Sequence, residues 1–88
     1  MNTKFLRQFY KDIDKIQSQI TRNEVIKSIQ NVKESTTPGE IRGLKKLTGH
    51  KNAFRIRIGD FRIGVLIENS NVEFVRLLHR KDIYKVFP

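Results

Sequence analysis

The sequence predicts an α+β fold, in which an N-terminal antiparallel helix hairpin packs on a twisted antiparallel sheet of three strands, four at most. Three observations predict it. Apolar residues from Leu6 to Val32 recur at helical spacing, those from Phe54 to Ile67 alternate with other residues about Gly59-Asp60, and Val72 to Leu78 is a near-continuous apolar run. Helical periodicity followed by strand periodicity places the helices on one face of an antiparallel meander and leaves the other face open. The 88 residues are read as a single domain, 1–88, because a chain this short buries only about 60% of its unfolded surface and cannot support two cores.

The first helix is expected from Thr3 to about Gln19, with Leu6, Phe9, Ile13, Ile16 and Ile20 on its buried face and Asn2 or Thr3 as its cap. Thr21-Arg22-Asn23-Glu24 has the pattern of a capping box, so a second helix is expected to begin there. Val25, Ile26, Ile29 and Val32 supply its stripe, and Pro38-Gly39 follows its end near Ser35. Both stripes are assigned to the core. Glu40 to Gly49 reads as a connector with a short helical turn, leading into the first strand.

Gly at the first position of a two-residue loop suits a type II′ turn, so Ile58 is expected opposite Phe61, Arg57 opposite Arg62 and Gly64 opposite Arg55. Residues opposite one another share a face. Arg55, Arg57 and Arg62 therefore gather on the side away from the apolar set, with room above Gly64. Asn69-Ser70-Asn71 marks the next turn. A two-residue turn there would carry Phe74 and Leu78 to the core, and Val75, Leu77 and His79 to the arginine face.

Charge points to the partner. Eighteen Lys and Arg against nine Asp and Glu give a net charge of +9, a balance that favours nucleic acid or an acidic protein surface. Like charges on neighbouring strands oppose pairing, whereas guanidinium forks match phosphate oxygens, so the arginine face is read as a polyanion site. Lys45, Lys46 and Lys51 extend it, and Lys81 and Lys85 join them as candidates for binding the polyanion. Absence of Cys excludes disulfides and thiolate sites, and neither a metal-binding spacing nor a cofactor fingerprint occurs. No apolar run approaches the roughly 18 residues of a membrane span, so a soluble cytoplasmic protein without metal, cofactor or membrane contact is expected.

KKLTG, FRIRIGDFRIG and HRKDIY together resemble the RelE/ParE toxin superfamily, and specifically its RelE-like mRNA interferase branch, over residues 5–88. HRKDIY, similar to the branch's C-terminal HR-x-x-x-Y signature, is the more specific motif. The arginine strand motif is shared with members that inhibit DNA gyrase. The resemblance implies two helices on a twisted sheet, a metal-independent endoribonuclease that cuts messenger RNA in the ribosomal A site beside ribosomal RNA, and a cognate antitoxin of a type II toxin–antitoxin system. It also implies catalytic roles. Arg55 and Arg57 match the basic strand pair that contacts phosphate and activates the nucleophile, Arg62 the residue that stabilises the scissile phosphate, Arg80 the general acid, and Tyr84 the tyrosine that stacks on a base.

Three departures stand beside the match. Thr48 occupies a position that is basic in the RelE branch, and little chain precedes Phe5 to form the branch's usual first strand. Arg57 stands where a lysine serves as base, and arginine does not deprotonate in proteins. Attack of a 2′-hydroxyl on its own 3′ phosphate needs only proton transfer and charge stabilisation. His79 is therefore the expected general base, or the acid if another group takes the proton. A ParE-like, non-catalytic gyrase inhibitor and a plain RNA-binding protein are the competing expectations.

Overall fold

Thr3 and Phe5, expected at the head of the first helix, instead lie in a strand. In the computed structural model, which describes residues 1–88, strand β1 (Asn2–Phe5) runs parallel to the last strand, with Phe5 opposite Phe74. The helical stripe starts only at Leu6, which leaves Phe5 free to stack on Phe74 at 4.8 Å between ring centroids. Helix α1 (Arg7–Asp14) follows, capped by the extended backbone of Leu6 rather than by Asn2 or Thr3. Helix α2 (Gln19–Glu34) begins earlier than expected because the Ser18 hydroxyl accepts from the Thr21 amide at 3.2 Å, so the expected capping box lies inside the helix. Arg22 ties the pair together by donating to the carbonyls of Ile16 (2.8 Å) and Ile13 (3.4 Å) at the end of α1.

After a 3₁₀ turn at Pro38–Glu40 come β2 (Leu44–Lys46), β3 (Ala53–Ile58), β4 (Phe61–Glu68) and β5 (Asn71–His79), and the chain closes with the short helix α3 (Ile83–Val86). The sheet has five strands in the order β1-β5-β4-β3-β2. The expected three or four strands become five because β1 and β2, at the two edges, are too short to show a periodicity. No helix is long and apolar enough to cross a membrane.

The hairpin register is the expected one, with Ile58 opposite Phe61, Arg57 opposite Arg62 and Arg55 opposite Gly64, and Gly59 takes the positive φ that the turn requires. On β5 the expectation fails midway. Phe74 pairs with Val65 but Arg76 pairs with Gly64, so Val75 is an extra residue and forms a β-bulge. One extra residue inverts the side of everything that follows. Leu77 is therefore in the main core, Leu78 packs on the opposite face, and His79 stands opposite Phe61 on the helix side.

The main core joins 13 buried residues between helices and sheet, among them Phe9, Val25, Val32, Ile56, Ile63 and Phe74. Not all of the expected stripe enters it. Ile20 and Ile26 are 73% and 63% exposed, because a helix that starts at Gln19 aims Val25, Ile29 and Val32 inward and turns those two away. The opposite face is not open either. Ile83 and Phe87 of the C-terminal segment bury themselves there with Ala53, flanked by Leu47, Leu66, Val75 and Leu78.

Candidate functional site

Arg55 and Arg57 sit on β3 and Arg62 on β4, all on the face away from α1 and α2. Arg55 Nη1 donates to the Gly43 carbonyl at 2.6 Å, and the same carbonyl accepts the Arg57 amide at 3.1 Å. Gly43 makes this approach possible through a φ of +75° and the lack of a Cβ, which would stand 3.2 Å from the Arg57 carbonyl. Arg62 Nη1 curls back to the carbonyls of Gly59 (2.7 Å) and Phe61 (2.9 Å), at the hairpin turn. The fold's three salt bridges join Lys4 to Glu73, Arg76 to Asp12 and Lys85 to Asp82, so no carboxylate neutralises Arg55, Arg57, Arg62 or Arg80. Such guanidiniums keep donors free for an incoming anion.

Arg80 joins this end of the sheet, since its amide donates to the Asp60 carbonyl at 2.8 Å and extends the β4–β5 ladder past the hairpin turn. Tyr84 lies on α3, between the buried anchors Ile83 and Phe87, and is 54% exposed. Lys45 is opposite Arg55 and enlarges the basic face, whereas Lys46 is opposite Phe54 and thus on the other side of the sheet. Lys51 is exposed in the loop before β3 and lines a shallow recess with Lys46, Thr48 and His50. Lys81 and Lys85 are exposed, the latter 3.5 Å from Asp82.

His79 is the residue whose placement differs most from expectation. The bulge at Val75 turns it toward the helix layer, where its ring meets Phe61 edge-on at 5.7 Å in a cleft of about 380 Å³ shared with Lys15, Gln17 and Asp82. Its Nδ1 accepts the Lys81 amide at 3.1 Å. That contact occupies the Nδ1 lone pair and leaves Nε2 as the ring nitrogen available to the cleft.

Three features of the site carry no sequence motif. His50 is an exposed imidazole within the basic loop. Phe87 covers Gly64. Asp12 is the one buried carboxylate, and it receives Arg76 Nε (2.8 Å) and Nη2 (3.3 Å), the Leu77 amide (2.9 Å) and Gln8 (3.2 Å). Burial alone would push this carboxyl up. Hydrogen bonds from Arg76, Leu77 and Gln8, with the Arg76 charge, outweigh burial and hold it below its ordinary 3.8. The carboxylate also takes the Leu77 amide on the β5 edge, beyond the point where β1 ends. Its signal was its position, three residues after Phe9 and four before Ile16 on the buried face of α1. No three His, Asp or Glu side chains come together as a set that could hold a metal ion.

Residues 3–84 match the family model of the ParE toxin of the type II toxin–antitoxin system parDE. Toxin RelE3 of Methanocaldococcus jannaschii is 34% identical over 89 residues, covering all of both chains. A chain of the RelB–RelE antitoxin–toxin complex from Methanococcus jannaschii has the same fold, with a TM-score of 0.80 at 33% identity over 97% of this chain and 99% of that one. The archaeal RelE–RelB complex from Pyrococcus horikoshii OT3 gives a TM-score of 0.72 at 18% identity, over 90% and 93% of the two chains.

Proposed function

Because the chain belongs to the ParE toxin family of the RelE/ParE superfamily and is a type II toxin of the RelE type, we propose that it is a ribosome-dependent endoribonuclease that cuts messenger RNA. One observation carries the reading: Arg55, Arg57, Arg62 and Arg80, without a carboxylate partner among them, border the same end or face of the sheet as the exposed Tyr84. That is a phosphate-binding surface with an aromatic beside it.

The proposed reaction is attack of a ribose 2′-oxygen on the adjacent phosphorus, with departure of the 5′-oxygen of the next nucleotide. The products are a 2′,3′-cyclic phosphate and a free 5′-hydroxyl. Arg55, Arg57 and Arg62 stabilise the charge that accumulates on the phosphate oxygens. Arg80 supports the leaving oxygen, Tyr84 stacks on a neighbouring base, and Lys45, Lys51, Lys81 and Lys85 bind flanking phosphates. Lys46 acts from the sheet edge. His79 faces the helix layer with its Nδ1 occupied by the Lys81 amide, so it takes the 2′-hydroxyl proton, or returns one to the 5′-oxygen, only if the ring swings to the arginine face and releases that amide; otherwise water takes the first proton and supplies the second. Metal plays no part in this scheme.

The setting is cytoplasmic, where ribosomes are. A cognate antitoxin is the proposed protein partner, supported by the RelB–RelE complexes among the similar structures and by the +9 charge, which favours an acidic segment. A second reading, a non-catalytic inhibitor of DNA gyrase, draws support from the parDE family model.

Primer extension on a translated reporter, after brief induction of wild type, Arg62→Ala, Arg80→Ala and His79→Ala, tests these readings. Discrete cuts in wild type that disappear in the arginine variants are expected. Retained cutting by His79→Ala and His79→Gln would remove His79 from the chemistry. Growth arrest with double-strand DNA breaks and intact messenger would replace the nuclease with the gyrase reading.

A further inference from the structure

Gly64 is buried at the centre of the arginine face, directly opposite Arg55 and two residues along β4 from Arg62. A Cβ at this position would lie 2.6 Å, 2.7 Å and 2.9 Å from three carbons of the Phe87 ring. The ring is therefore seated where a side chain would be, and it is only 3% exposed. Four residues earlier Ile83 is fully buried against the same face, and the Phe87 amide donates to the Ile83 carbonyl at 2.9 Å. The segment between them is thus fastened at both ends. Tyr84, between the fasteners, faces out.

We propose that Phe87 is a positioning residue for the reaction, its ring clamping α3 onto Gly64 so that Tyr84 is presented beside the phosphate-binding arginines. The proposal rests on the nuclease reading above. Its basis is that the clamp is small: the second cluster has three buried residues against 13 in the main core, so α3 can be released without disturbing the fold. Gly64 is needed at this point for close approach and not for an unusual φ.

Five variants test the clamp: Phe87→Ala, Phe87→Leu, Gly64→Ala, Tyr84→Ala, and the double variant Phe87→Ala/Tyr84→Ala. Each is followed by ribosome-dependent cleavage and by hydrogen exchange at the Phe87-segment amides, which reads seating independently of activity. Phe87→Ala and Gly64→Ala are expected to release α3 and to lower the cleavage rate at saturating substrate by about 10²-fold, the scale of a misplaced catalytic group. Circular dichroism and the melting of the main core stay near wild type. Phe87→Leu, which refills the seat in part, restores most of the loss. Tyr84→Ala, harmful alone, adds nothing on the Phe87→Ala background, since an unpositioned tyrosine contributes nothing that its removal can take away.

Full cleavage by Phe87→Ala with α3 released overturns the proposal, as does an undiminished additional loss from Tyr84→Ala. If wild type itself leaves translated messenger intact, the nuclease reading fails first and the positioning role with it.

Discussion

The two faces of this sheet are built on opposite terms. On the helix face 13 buried residues form one core, and the only buried charge, Asp12, is fully engaged by Arg76, Leu77 and Gln8. On the other face three buried residues hold down a four-residue helix, and three arginines find only backbone carbonyls or no partner at all. Stability is concentrated on one side and unsatisfied charge on the other, so substitutions on the two faces should separate into folding defects and activity defects.

The comparison can be broken most forcefully at Phe74, which stacks on Phe5 and lies 5.3 Å from the Phe9 ring. Phe74→Ala is expected to destabilise the fold by about 3–5 kcal/mol, read by urea denaturation. Asp12→Ala should follow at about 3 kcal/mol, the lower end for a broken buried pair, because Arg76 keeps some access to water. Next comes Arg62→Ala, which should lower cleavage by about 10²-fold while leaving the unfolding midpoint unchanged. Loss of stability by Arg62→Ala comparable to that of Phe74→Ala would dissolve the distinction between the faces.

Acid sharpens it further. The carboxyl of Asp12 is depressed below its ordinary 3.8 in the folded state, so its stabilising contribution is complete above that pH and fades as pH falls through the lower folded value. Melting temperatures of wild type and Asp12→Asn should accordingly converge below pH 3.8. A constant gap across that range would place the stabilisation elsewhere. The smallest effect is expected at Ile20 and Ile26, the exposed apolar pair of α2, where Ile→Gln should change stability by no more than about 0.5 kcal/mol.

The hairpin was legible because period-two alternation and a Gly-Asp turn fix both register and facing, and Arg57 does lie opposite Arg62. The α+β class was legible for the same kind of reason. β1 was hidden because its four residues acquire meaning only through pairing with Asn71 to Phe74, at the far end of the chain. The bulge at Val75 has no local signature in VEFVRLLH, and it alone decides that Leu77 rather than Leu78 enters the core and that His79 leaves the arginine face. Burial of the C-terminal segment was equally illegible, because the vacancy left by Gly64 and the ring of Phe87 are 23 positions apart in the sequence.

At its outer boundary the sheet ends in β2, a three-residue strand of which two residues are Lys45 and Lys46. A short, cationic margin repels another copy that would add itself strand to strand, and so favours colloidal solubility as well as any contact with phosphate. Neutralising those lysines to probe RNA binding therefore also strips the margin of its repulsion. A fall in apparent activity of Lys45→Ala/Lys46→Ala belongs to RNA binding only when sedimentation shows the variant still monodisperse.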